Sequence, residues 1–168
     1  GGPPDRTPPT VIWTQPSADT TQVTLDSRIR VRFSERMDRR SVERSVFVSP
    51  RSSGTPELRL RGDLLEIRLP GGLRAQRTYI VTLGAECSDE SRNRMTSSHS
   101  FAFATGSQLN RGRVEGRVEQ GRARGVQTYV WVYDLETSDQ PDPGIAEAAY
   151  VTQPGADGRY DFPRLGPG

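Results

Sequence analysis

Lysine is missing altogether, since every one of the 23 basic residues is arginine. Its absence removes Schiff-base chemistry, a P-loop cation and an intramolecular isopeptide bond together. A single cysteine, Cys87, excludes an internal disulfide and a four-cysteine zinc site. The lone histidine, His99, sits between Ser98 and Ser100 with no second histidine or Cys-x-x-Cys pair to complete a ligand set. A structural or surface role follows for it. No window approaches eighteen consecutive apolar residues, and the amino terminus lacks a charged region followed by a hydrophobic core. The chain as it stands therefore shows neither a membrane span nor a signal peptide, which fits an already processed form. A nucleophile elbow and a Rossmann glycine pattern are missing too, because "GRVEGRVEQGRARG" leads into no helix. The expectation is a non-enzymatic protein with no cofactor and no metal.

What is present is glycine, proline and short alternating runs. The 168 residues hold 17 Gly and 13 Pro, with 32% apolar side chains, a composition suited to small β-domains. "GGPPDRTPPT" (1–10) supports neither helix nor ladder and reads as an extended tether. Strand signals then follow at 11–13, 22–25, 28–34, 45–50, 57–70, 77–86 and 98–106. In the fifth of these, two alternating runs flank Gly62-Asp63 as a tight hairpin, with Leu58 and Leu60 opposite Leu65 and Ile67. "ERMDRRSVERS" breaks the alternation and predicts one helical turn near 38–44, capped by Asp38, with Met37 and Val42 inward. This spacing predicts an immunoglobulin-sized sandwich over 11–106. After a linker at 107–112, four more runs (113–120, 125–136, 147–155 and 158–165) predict a second, smaller β-unit over 113–168. It is too short to bury much by itself, so it is either truncated or completed by a partner. The predicted fold is all-β, two tandem β-sandwich domains with one short helical turn.

Three stretches carry a family resemblance. "RVRFSERMD" (30–38), "LRAQRTYIVTL" (73–83) and "HSFAFATG" (99–106) resemble the bacterial Ig-like domains of SbsA type. Phe33, Ser34, Glu35, Met37 and Asp38 match the first motif, with Arg36 where the family has proline. Leu73, Tyr79, Val81 and Leu83, with Thr78 displaced by one, match the second, and Phe101, Phe103 and Thr105 the third. "DESRNRM" (89–95) lacks the family's turn glycine. "GGPPDRTPP" resembles the mature start of surface lipoproteins of this class, which implies export and a lipid anchor upstream of Gly1 as the means of reaching a membrane. "VEGRV", "GVQTYVWVYD" and "TQPGADGRYDFPRLGPG" are similar to carboxypeptidase regulatory-like, transthyretin-type modules, with Asp157, Gly158, Tyr160, Phe162, Leu165 and Gly168 in step. Those modules continue with further strands, which implies a fragment or strands supplied by another molecule.

Four groups invite a functional reading. Arg28, Arg30 and Arg32 alternate with Ile29, Val31 and Phe33, so the arginines fall on the face of a strand opposite its core residues. Net charge is only +2, with 16 Arg against 12 acids in 1–106 and 7 against 9 in 107–168, and acids are interspersed. Solvated strand faces with ion pairs are preferred to a nucleic-acid stripe, which would need a recognition helix or stacking aromatics. Tyr129, Trp131 and Tyr133 share a face that reads as core in preference to a sugar-stacking platform. Glu35, Asp38, Asp89 and Asn93, or Asp134, Asp139 and Asp142, could gather around calcium, but neither set has the order of an EF-hand and solvated turns are preferred. The expected role is structural or adhesive at a bacterial surface, as in a fibre assembled by strand exchange. Its partners would be copies of itself or other surface proteins. The alternative is an accessory module for carbohydrate or another polyanion.

Overall fold

A computed structural model describes residues 4–52, 54–119, 128–133, 140–142 and 148–166. The alternation of residues 28–34 becomes strand β2 (Ile29–Phe33), central in a four-stranded antiparallel sheet with β1 (Val11–Gln15), β5 (Leu64–Arg68) and β4 (Glu57–Arg61). Ile29, Val31 and Phe33 point inward and are at most 1% exposed. Across them stands a three-stranded sheet of β3 (Val46–Ser49), β6 (Thr78–Leu83) and β7 (His99–Ala104). Tyr79, Val81, Leu83, Phe101 and Phe103 from β6 and β7 meet Ile29, Val31, Phe33, Leu65 and Ile67 in one apolar core. The hairpin register is the expected one: Leu58 faces Ile67 and Leu60 faces Leu65. Gly62, at φ 64°, supplies the left-handed residue that the turn requires. The architecture is all-β, with one short helix.

That helix is α1 (Arg39–Ser45). Asp38 caps it by accepting from the Ser41 amide at 2.8 Å, and Val42 and Met37 are buried as the pattern predicts. Residues 22–25 differ from expectation, forming a loop in place of a strand. Asp19 and Gln22 take φ values of 61° and 57°, which interrupt an extended run. The segment still uses its backbone on the sheet. Asp19, Gln22 and Val23 donate to Ala102, Gly106 and Ala104 carbonyls, and the Ala104 amide donates to Thr20. The outer edge of β7 is thereby covered, as an exposed edge otherwise invites pairing with another chain. Residues 4–10 form neither helix nor strand and are pinned: Ser34 and Thr10 exchange two hydrogen bonds, and Asn93 Nδ2 donates to the Asp5 carbonyl at 3.3 Å.

The four carboxy-terminal runs form two antiparallel ribbons. β8 (Gly112–Arg117) pairs with β11 (Arg159–Leu165), and β9 (Val130–Val132) pairs with β10 (Tyr150–Thr152). Half of the expected strand over 125–136 lies outside the described residues, and β9 falls in the other half. The ribbons lie against the outer face of the three-stranded sheet. Phe162 and Leu165 of β11 close on Ile80 of β6 and Ala102 of β7, with Leu109, Val130, Val132, Tyr150 and Tyr160 around them. All six residues of β6 are buried for this reason: one face serves the sandwich core and the other the ribbons. The seam is tight at Gly84, where a Cβ would sit 1.9 Å from Oε1 of the buried Gln153. Beside it Ser98 Oγ accepts from the Ala85 amide and donates to the Gln153 carbonyl, tying the two parts by polar contacts as well. The stretch expected as a linker joins the seam, since the Asn110 amide donates to Thr78 Oγ1 at 3.0 Å.

Candidate functional site

The register of the four-stranded sheet fixes what its outer face carries. Gln15, Arg30, Glu66 and Arg59 lie side by side across β1, β2, β5 and β4, and Trp13, Arg32, Leu64 and Arg61 form the next row. The three arginines singled out at the start of β2 and within it are ion-paired. Arg28 and Arg30 reach the two carboxylate oxygens of Glu66 at 3.0 and 3.2 Å, and Arg32 approaches Asp63 at 3.6 Å. Burial pulls Glu66 upward, but hydrogen bonds and charge from Arg30 and Arg28 outweigh it and hold the carboxyl below its usual range. Surface pairs of this kind stabilise by at most about 1 kcal/mol and weaken with salt. The sequence-level preference for a paired, solvated face therefore describes β2. Arg59, Arg61 and Arg68 differ: they are exposed on the same face and make no ion pair among the described residues. Sequence reasoning passed over them, although the alternation of "ELRLRGDLLEIRLP" already set them on the register opposite Leu58, Leu60, Leu65 and Ile67.

The candidate acidic set is partly assembled. Asp5, Glu35 and Asp89 bring carboxylate oxygens within 4.8 Å of one another. Asp89, 1% exposed, is held by two 2.7 Å hydrogen bonds from Asn93, one from its amide and one from Nδ2. Asp38 is occupied instead as the helix cap, and Asp5 takes the place expected for it. No local signal pointed to Asp5, because its contribution depends on the amino-terminal stretch folding back. Of the second acidic set, Asp134 and Asp139 lie outside the described residues, and Asp142 is exposed.

Desolvation, then the charges of Asp89 and Asp5, push Glu35 up to about 7. Hydrogen bonds from Glu35 to Asp89 and Asp5 make the cluster a proton-sharing corner. A raised carboxyl pKa means that the folded state holds the proton more tightly than the unfolded chain. Its stabilising effect is complete below the unfolded value and fades as pH rises through about 7. Thermal melts should accordingly show a midpoint a few degrees higher near about pH 5.5 than near about pH 8, and Glu35→Gln should flatten that difference. A rise of the midpoint with millimolar calcium at the higher pH, abolished by the same substitution, would instead identify a cation site.

Tyr129, Trp131 and Tyr133 do not act as one surface. Tyr129 meets Phe47 of β3 edge to face at 6.0 Å and is half-buried, as is Tyr133. Trp131 is 46% exposed, which corrects the expectation that it is core: β9 turns Val130 and Val132 toward the seam and Trp131 away from it. His99 borders a cleft of about 790 Å³ between β7 and the β8–β11 ribbon, with Asp157, Asp161, Arg159 and Tyr160 on the far wall. Burial lowers its pKa, so the ring is neutral at pH 7. Cys87 is fully buried, and burial followed by the Glu86 charge pushes its thiol up to about 12, a setting without thiolate reactivity.

Comparison with known proteins places the first part of the chain. A family model described as bacterial Ig-like domain matches residues 5–105. No curated protein sequence matches the chain. Among solved structures, an L,D-transpeptidase from Mycobacterium smegmatis is similar, with a TM-score of 0.44 and 24% identity over 61% of this chain. The alignment spans 42% of that protein, less than half its length. No helix among the described residues is long and apolar enough to cross a membrane.

Proposed function

As a member of the bacterial Ig-like domain family over residues 5–105, the chain is, we propose, a non-enzymatic structural and adhesive module of an exported bacterial surface protein. The observation that carries this reading is the doubly buried strand β6, through which the Ig-like sandwich and the ribbons share one seam. A seam of that kind makes a stiff spacer out of two small units. The ribbons are taken as the start of a transthyretin-type sandwich. Among the described residues β8 pairs only with β11 and leaves Val114 44% exposed, an edge open to a strand from another copy. Light scattering across a concentration series, run with amide hydrogen exchange, tests this. Mass should rise with concentration while Gly112–Arg117 gains protection. A monomer at all concentrations with that strand protected throughout would sink assembly by strand exchange. A second reading, a carbohydrate-binding accessory module, is favoured by the exposed Trp13 and Trp131, 45% and 46% accessible.

A further inference from the structure

The outer face of the four-stranded sheet carries a concentration of arginines. Six arginines (28, 30, 32, 59, 61 and 68) stand on it against Glu57, Asp63 and Glu66, an excess of three positive charges. The excess is concentrated. Glu66 and Asp63 are engaged by Arg28, Arg30 and Arg32, and Arg59, Arg61 and Arg68 on β4 and β5 form no ion pair among the described residues, although Glu57 stands opposite Arg68 in register. The row from Trp13 on one edge through Arg32 and Leu64 to Arg61 on the other crosses three inter-strand gaps, a span of roughly 14 Å. Trp13 is 45% exposed at the end of that row.

We propose that this face binds a linear acidic polysaccharide, whose carboxylates are received by Arg59, Arg61 and Arg68 while a sugar ring stacks on Trp13. Charge complementarity carries the assignment: guanidinium groups present planar forks that match carboxylates two bonds at a time. A flat sheet spreads its charges over a surface and offers no helix for a groove, and its single aromatic cannot stack successive bases, so nucleic acid is disfavoured. The proposal rests on the accessory-module reading and names the ligand class and the face for it.

Affinity electrophoresis of the whole chain in gels carrying polygalacturonate, polyphosphate, duplex DNA or neutral dextran tests it. Polygalacturonate should retard the protein at about 50 mM NaCl and cease to do so near about 500 mM, since exposed charges are screened there. The combined Arg59→Gln, Arg61→Gln and Arg68→Gln variant should bind on the order of tenfold more weakly with a melting temperature close to the parent's, because none of the three forms an ion pair among the described residues and the neutral side chains set no like charge opposite Glu66 or Glu57. Trp13→Ala should weaken the glycan interaction as well. The proposal is overturned if polygalacturonate does not retard the protein at low salt, or if the triple variant binds as well as the parent. It also fails if polyphosphate or DNA binds at least as tightly and ignores Trp13→Ala. Retardation by dextran that Trp131→Ala removes and the arginine changes leave alone would keep the accessory reading and reject this face. Retardation by no glycan at all would reject both.

Discussion

Replacing Ala102 with arginine is expected to release the carboxy-terminal ribbons while the Ig-like sandwich stays folded. Ala102 is 3% exposed on the outer face of β7, beside its cross-strand neighbour Ile80 and beneath Phe162 and Leu165. A guanidinium buried among those side chains costs several kcal/mol when no carboxylate meets it. Lifting the ribbons away costs less than unfolding everything, because the seam is small. Phe162 and Leu165 contribute about 1.5–3 kcal/mol each by their burial. Once the ribbons leave, the guanidinium reaches water and the sandwich core keeps all of its own contacts. Amide exchange of Ala102→Arg should therefore lose protection over Tyr150–Thr152 and Arg159–Leu165 and retain it over Ile29–Phe33 and Thr78–Leu83. Simultaneous loss in both sets would show that the two parts are one cooperative unit. No loss in either would show that the seam carries little energy.

Much of this arrangement was legible from pattern alone, because alternation fixes which residues face a core before any partner is known. Ile29, Val31 and Phe33, the Gly62-Asp63 hairpin and the Asp38 cap all stand where their local chemistry puts them. Burial of β6 on both faces was also legible in the β-branched run "TYIVTL", although Thr78 and Thr82 flank Ile80 on its outer face. What covers its second face was not, since that depends on Phe162 and Leu165, about eighty residues further along. The same limit explains Asp5, which enters the carboxylate cluster through a long-range fold-back, and Trp131, whose strand pattern is symmetric between core and solvent. Residues 22–25 failed for a different reason. Their apolar run has strand composition, but the left-handed turns at Asp19 and Gln22 leave its backbone bonded to the edge of β7 and outside regular pairing. The family resemblance was strongest where short-range motifs and core positions coincide, as in "FSERMD", and the family match covers that region.

Phe103→Ala, one residue along the same strand, is expected to behave in the opposite way to Ala102→Arg. Phe103 points into the sandwich, is fully buried, and stacks on Tyr79 with ring centroids 5.5 Å apart. Truncating a buried phenylalanine costs about 3–5 kcal/mol, from lost transfer energy and from the cavity that the rigid neighbours cannot fill. A domain has about 5–15 kcal/mol in total, so a large share of its stability goes at once. The midpoint of thermal unfolding should fall by roughly 10 °C, at about 2–4 °C per kcal/mol for a chain of this size. Protection should fall in the sandwich and the ribbons together, because the ribbons need the outer face of β6 and β7 as their platform. Phe103→Leu keeps most of the volume and should recover the larger part of the loss. A sandwich that weakens while the ribbons keep their protection would mean that the ribbons fold without the sheet beneath them. The dependence drawn from the shared strand β6 would then be wrong.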